Sequence, residues 1–467
     1  MSQKHVPHLT ITPLTIPSSV KLSELFASFS HQSWAMLLDS ANSQHVDARF
    51  DIMVAKPIAT ITSKDKINTV CQDSAEPYVN DANPLSLIEE LQQHYFRTLQ
   101  VVKNEHNELP FLVGALGYFG YDLSHCFESL PANRKTDYSA PDMAVGIYSW
   151  SLIKDRKKGL FYLCAANNHP HPSAQFVENL IKTAKPSSHF KLLSPWHANM
   201  TSAQYQAKLQ QVDNYLHAGD CYQINFAQRF STAYEGDEWQ AYQVLSEANN
   251  APFSAFIRLP ECCILSISPE RFLAVNNGHV ETKPIKGTRP RSEDPATDQQ
   301  AIEQLLSAEK DRAENLMIVD LLRNDLSKHC KPHSVKVPSL FQIESFPAVH
   351  HLVSTITGEL AENSSVYALF QGAFPGGSIT GAPKIRAMQI IDELEPHQRN
   401  IYCGSIGYFG LRQDMDTNIC IRTLLCEQGK IYCWAGGGIV VDSQPLEEYQ
   451  ESLDKVAKIL PLLASLA

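Results

Sequence analysis

Lys286 stands third in the run Pro284-Ile285-Lys286-Gly287-Thr288, between a residue that fixes φ and one that lets backbone approach closely. A lysine aimed by rigid backbone can act as a nucleophile once it has lost its proton. At a reference pKa of about 10.4, only roughly one lysine in 2,500 is neutral at pH 7. Such a role therefore requires burial or a neighbouring cation, and Arg289 and Arg291 are the cations at hand. The same letters also describe a positively charged hairpin loop whose proline and glycine serve only the turn. Glu270, in Ser-Pro-Glu-Arg-Phe (268–272), comes shortly before it. A carboxylic acid near a nucleophilic lysine could protonate a leaving hydroxyl, or Glu270 and Arg271 could form a surface ion pair.

Further carboxylates fall at helical spacing. Asp311 and Glu314 share one helix face; Glu448 and Glu451 share another, with Lys455 a turn beyond. Oxygen donors from two helices are what Mg2+ takes, although solvated helix faces carry the same spacing. FPGGSITGAPK (374–384) and AGGG (435–438) could present backbone N–H groups to an anion. Arg422 lies in a stretch that reads as a buried strand, so its charge needs a partner. That partner is either a ligand carboxylate or an acid such as Asp416.

The elements that must hold these residues are mostly strands. Trp34–Leu38 and Arg49–Ala55 read as strands, Leu85–Leu99 as a helix, Gly114–Asp122 as a glycine-rich strand, and Tyr148–Ala165 as a hairpin around Asp155–Lys158. Residues 166–198 read as a connection, with a boundary near 195 that separates 1–195 from 196–467. Ser202–Ala218 is an amphipathic helix with Tyr205, Leu209, Val212 and Leu216 inward, closed by Gly219. Short strands follow around Ile264–Ile267, Phe272–Val275 and Val280–Lys283. Then come a long helix at Ala301–Leu326, a helix with Pro383 in its first turn, a β-meander over Ser405–Trp434 and a last helix at Leu446–Leu463. Strands follow strands more than they alternate with helices, which predicts an α+β fold with antiparallel sheets.

The chain has 467 residues, 43% hydrophobic and 19% charged, the balance of a globular protein with room for one large domain or two to three ordinary ones. A net charge of −11 without a Lys/Arg run argues against nucleic acid as a partner. The 11 cysteines show no metal-binding spacing, no stretch has the apolar length of a membrane span, and MSQKHVPHLTITP lacks the pattern of a signal peptide. The expectation is a cytoplasmic protein with no membrane partner.

Seven motifs occur in a familiar order: SPERF, PIKGT, AENLMIVDLLRNDL (313–326), FPGGSITGAPK, IYCGSIGYF (401–409), IRT (421–423) and AGGGIVVDSQPLEEYQES (435–452). Together they resemble the chorismate-utilising enzymes over nearly all of 200–460. Region 1–195 resembles the N-terminal part of the anthranilate synthase and aminodeoxychorismate synthase large subunits. The resemblance implies large antiparallel sheets forming a sandwich core with helices outside, and a chorismate-binding catalytic region at 196–467. Anthranilate and isochorismate synthases carry alanine at the third position of Pro-x-Lys-Gly-Thr. Aminodeoxychorismate synthases carry lysine, as here.

The implied reaction is chorismate plus ammonia giving 4-amino-4-deoxychorismate, towards p-aminobenzoate and folate. The alternatives are conversion to anthranilate and pyruvate, and a non-catalytic chorismate- or tryptophan-binding regulator. The resemblance casts Lys286 as nucleophile and Glu270 as general acid. Gly287, Thr288, Tyr402, Arg422, Gly436, Gly437, Gly438 and Lys455 would line the substrate site, and Mg2+ would be held by Glu314 and Glu451 with Glu448 and Asp311 nearby. Asp311 stands where anthranilate synthases often have Glu. Ser40, Asp47, Ala48, Arg49, Phe50, Pro252, Phe253 and Ser254 match the family's amino-acid pocket, which implies bound tryptophan. No glutaminase nucleophile elbow is present, so the implied ammonia source is a separate glutamine amidotransferase subunit in a heterodimer.

Overall fold

The computed structural model describes residues 6–466 except 42, 44, 73–74, 102–105, 132–134, 181–188 and 346–348. Part of the expected connection 166–198 therefore lies outside the described residues. Two sheets with antiparallel ladders, of 13 and 12 strands, form a sandwich. Successive strand residues point to opposite faces, and the chain uses that alternation to fill two cores. Met36, Ile52, Val54, Ile264 and Leu425 of the larger sheet share one core with Leu116, Tyr118 and Val145 of the smaller. Their neighbours Leu37, Met53, Leu265 and Leu424 fill a second cluster with the helices Leu22–Phe26 and Glu238–Asn249. The helix Ser202–His217 buries Tyr205, Leu209, Val212 and Leu216 against Ile224 and Phe226, as its spacing predicts. Thr201 caps it, with Gln204 completing the box.

Residues 1–195 and 196–467 each contribute strands to both sheets. Met36–Asp39 pairs with Phe253–Arg258 in the larger, and Gly114–Phe119 with Ser405–Gly410 in the smaller. No described helix is long and apolar enough to cross a membrane.

Two corners matter most. Cys262–Ser268 belongs to the larger sheet and Arg271–Asn276 to the smaller, so the chain changes sheets at Pro269–Glu270. Met415–Asn418 belongs to the smaller and Thr423–Glu427 to the larger, with the crossing over 419–422. The corners are hydrogen-bonded to each other: Ile419 N donates to Glu270 O at 3.0 Å, and Ile267 N to Arg422 O at 3.1 Å. The expected meander over Ser405–Trp434 is thus two hairpins in different sheets, because the alternation of apolar residues looks alike in either. Arg422 is not inside a strand; it sits in the corner at φ 52.

Three helix boundaries also differ. The expected helix Ala301–Leu326 is two, Pro295–Ser307 and Glu309–Ser327, with Ala308 extended between them. Glu309 and Asp311 in the first turn of the second favour a fresh N-terminus there. The last helix ends at Asp454, and Leu460–Ala464 forms a separate turn begun at a proline. Pro383 precedes the helix Lys384–Leu394 as its cap instead of lying in its first turn.

Candidate active site

Lys286 lies on the strand Ile285–Pro290, which pairs with Val349–Glu359. The register shifts between Lys286 and Thr288, leaving Gly287 as an extra residue at φ 71. A glycine makes that bulge without strain, and a Cβ there would stand 2.8 Å from Leu305 Cδ1 and 3.0 Å from Asp311 Cγ. Lys286 lines a cavity of about 680 Å³. Its side chain is 11% exposed, which rules out a solvated hairpin loop. Nζ donates to Glu314 Oε1 at 2.8 Å and to the Ser378 carbonyl at 3.2 Å. The arginines expected to discharge it are engaged elsewhere, Arg289 by Asp311 at 3.1 Å and Arg291 by Asp298 at 2.9 Å.

Glu270 is buried on the wall of the same cavity, where its Oε1 accepts from Ser378 Oγ at 3.2 Å. Burial pushes its pKa up to about 7, against the pull of the Lys286 charge and the Ser378 hydroxyl. Arg271 faces the other way, as alternation requires, and binds Asp47 at 2.8 Å, Asp416 at 3.0 Å and Glu281 at 3.1 Å. The possible Glu270–Arg271 surface pair is therefore excluded, and Asp416 is not the partner of Arg422. The Arg422 guanidinium has no hydrogen bond or ion pair among the described residues, and burial holds its pKa below the ordinary arginine value. It lines the cavity as a cation awaiting an anion.

Thr288, Tyr402, Gly436, Gly438 and Lys455 also line the cavity; Gly437 does not. Tyr402 stacks on Trp434, with planes 7° apart. Thr288 Oγ1 bonds His351 Nδ1 at 2.8 Å, and burial followed by the Arg422 charge pushes His351 down to about 4.

The four acidic residues line the cavity with these groups. Burial opposes the charge on Glu314, but Lys286 beside it, with Lys455 and Gln223, holds its carboxyl below the usual range. Burial raises Glu448, whose Oε1 accepts from Ser443 Oγ at 2.6 Å. Glu451 pairs with Lys455 at 2.7 Å, and Lys455 also donates to the Gly436 carbonyl at 2.9 Å. A Cβ on Gly437 would stand 3.2 Å from Glu448 Oε2 and 3.4 Å from Glu451 Oε1; one on Gly438, 2.7 Å from Glu314 Oε1. Three carboxylates thus approach two glycines, with the Gln223 amide against Gly438 and the Lys455 ammonium near Gly437. Their hard oxygen donors suit Mg2+. Among the described residues no group of three or more His, Cys, Asp or Glu is already arranged to hold a metal ion; the carboxylates bond instead to Lys286, Lys455, Ser443 and Arg289.

The family model for chorismate binding enzyme matches residues 35–461. The chain belongs to that family. Aminodeoxychorismate synthase component 1 of Escherichia coli is 51% identical over 439 residues, 94% of this chain and 95% of the relative. That of Salmonella typhimurium is 49% identical over 453 residues, 97% and 98% of the two chains. The crystal structure of anthranilate synthase component I from Streptococcus pneumoniae superimposes with a TM-score of 0.76 at 30% identity, covering 89% of this chain and 93% of that one.

In this chorismate-binding fold a second cavity of about 260 Å³ lies behind the Glu270–Arg271 strand. Ser40, Asp47, Arg49, Phe50, Pro252, Phe253 and Ser254 line it; Ala48 does not, and its carbonyl accepts from Arg156. Arg271 stacks over Phe253 at 5.0 Å. Sequence reasoning missed Ser378, Gln223, His351 and Trp434. Ser378 lies in FPGGSITGAPK, whose glycines draw attention to its backbone amides and not to its hydroxyl, and Gln223 stands outside the seven ordered motifs. His351 and Trp434 carry no local signal, since only strand pairing and stacking bring them in.

Proposed function

We propose that this chain converts chorismate and ammonia to 4-amino-4-deoxychorismate, the reaction implied by relatives named aminodeoxychorismate synthase component 1. The observation that carries it is Lys286 beside a buried Glu270 with a raised pKa, both held by Ser378. Lys286 Nζ bonds to ring C2 as the C4 hydroxyl leaves, and Glu270 gives that hydroxyl its proton, so that water departs. Ammonia then adds at C4 and expels the lysine, and Glu270 takes a proton back. Two covalent steps replace one difficult displacement. Lys286 must leave the Glu314 ion pair and release its ammonium proton to solvent before the neutral amine attacks, and it regains a proton once ammonia has expelled it.

Arg422 and Lys455, with Tyr402 and the Gly436–Gly438 backbone, receive the ring carboxylate; the unpaired Arg422 charge supports this. Glu314 and Glu451, with Glu448 and Asp311 at hand, would hold Mg2+, which when bound neutralises a substrate carboxylate. The second cavity takes tryptophan. Ammonia comes from a separate glutamine amidotransferase subunit in a heterodimer, in keeping with relatives named as a component 1.

The test is product identification. The pure chain with chorismate, ammonia and Mg2+ should yield a compound that a lyase converts to p-aminobenzoate. Fluorescent anthranilate with pyruvate would overturn the reading.

A further inference from the structure

We propose that Ser378 is a positioning residue that fixes the acid and the nucleophile relative to each other, its hydroxyl on Glu270 and its carbonyl on Lys286. The inference rests on the roles of Glu270 and Lys286 given above. Both contacts are 3.2 Å, Oγ donating to Glu270 Oε1 and the carbonyl oxygen accepting from Lys286 Nζ. One residue thus joins two groups from different places, the sheet-crossing corner and the bulged strand.

A group that positions others must itself be held. Ser378 is buried in the centre of the tight turn Gly377–Ile379. Thr380 Oγ1 donates to the Gly376 carbonyl at 2.9 Å, and the buried Arg399 Nη1 donates to the Ile379 carbonyl at 3.0 Å. A side chain on Gly377 would collide with Leu321, so the turn has no slack on that side. The serine hydroxyl therefore stands as a fixed donor aimed at Glu270. When Glu270 has released its proton, that donor stabilises the carboxylate just formed, with no rearrangement needed. The carbonyl keeps Lys286 within the same frame, between Ser378 and Glu314.

The test uses Ser378→Ala and Ser378→Thr in the full chain, with Ser378→Cys as a size-matched weak donor should alanine fail to fold. Ser378→Ala should lower kcat about ten- to a hundredfold, the worth of a hydrogen bond to a charged group, with chorismate KM little changed. Titration of Glu270 in the free protein, followed by carboxyl-13C NMR and assigned by its loss in Glu270→Gln, should move to higher pH. An acid works only while protonated, so the alkaline limb of kcat at fixed free ammonia should move the same way. Ser378→Thr should restore both, and Ser378→Cys should lie between. An unmoved Glu270 titration in Ser378→Ala, or a lost rate that threonine leaves unrestored, overturns the proposal. If the wild-type chain makes no aminodeoxychorismate while the titration still moves in Ser378→Ala, the positioning role stands and the assigned reaction falls.

Discussion

The two cavities share Pro252 and adjacent residues of one chain segment, Glu270 facing one and Arg271 the other, yet they treat charge in opposite ways. Around the smaller cavity the charges are matched within the protein. Arg271 takes Asp47, Asp416 and Glu281, and Arg49 takes Asp155 and Glu108. Asp39 is the exception: it accepts from the Tyr242 and Ser246 hydroxyls, and burial raises its pKa. Around the larger one, Arg422 has no partner among the described residues, and burial has raised the Glu270 pKa to about 7. A matched wall adds to stability and can close on a ligand without net charge. An unmatched one costs stability until a ligand brings the missing charge. The larger cavity thus presents an unpaired cation and a carboxyl of raised pKa, the smaller a wall held mostly by internal ion pairs.

That contrast breaks most directly at Lys286. Lys286→Ala should lower the ammonia-dependent rate by on the order of 10⁴-fold and abolish the adduct that intact-mass analysis should find on the wild-type chain during turnover. An unchanged rate would remove the lysine from the chemistry. On the matched side, Arg271→Ala leaves the buried Asp416 without its cation, while Asp47 keeps Lys283 at 3.3 Å, and should cost about 3–5 kcal/mol in urea unfolding. Full stability would show that the smaller cavity does not depend on its ion pairs.

Arg422→Met sharpens the comparison, because stability and function should move apart. Chorismate KM should rise about ten- to a hundredfold, while the free protein gains about 1–3 kcal/mol by losing an unpaired buried cation. A destabilised variant would mean that Arg422 has a partner after all. The smallest effect belongs to Glu451, which is half exposed and tied only to Lys455. Glu451→Gln should raise the Mg2+ midpoint about tenfold, and an unmoved midpoint refutes its role as a ligand.

Legibility in the sequence followed distance along the chain. The Lys286 loop, the paired carboxylates, the inward face of Ser202–His217 and the hairpin of Trp150–Asp155 with Leu160–Ala166 rest on neighbours a few residues apart. Propensity and periodicity report such neighbours. The ordered motifs also carry the family resemblance by themselves, and with it the α+β sandwich. Two helix breaks are invisible in the sequence, because an interruption at Ala308 or after Asp454 leaves the apolar spacing almost intact.

By itself, then, the sequence determined which residue types were available for chemistry and which local elements carry them. Tertiary structure alone decided which sheet each strand joins, that neighbouring Glu270 and Arg271 serve different cavities, that Arg422 has no acid beside it, and that Ser378 stands between Glu270 and Lys286. The reason is physical. A period of two is satisfied equally in either sheet, and the burial or pairing of a charge depends on groups hundreds of residues away along the chain, brought near only when the two sheets close on each other.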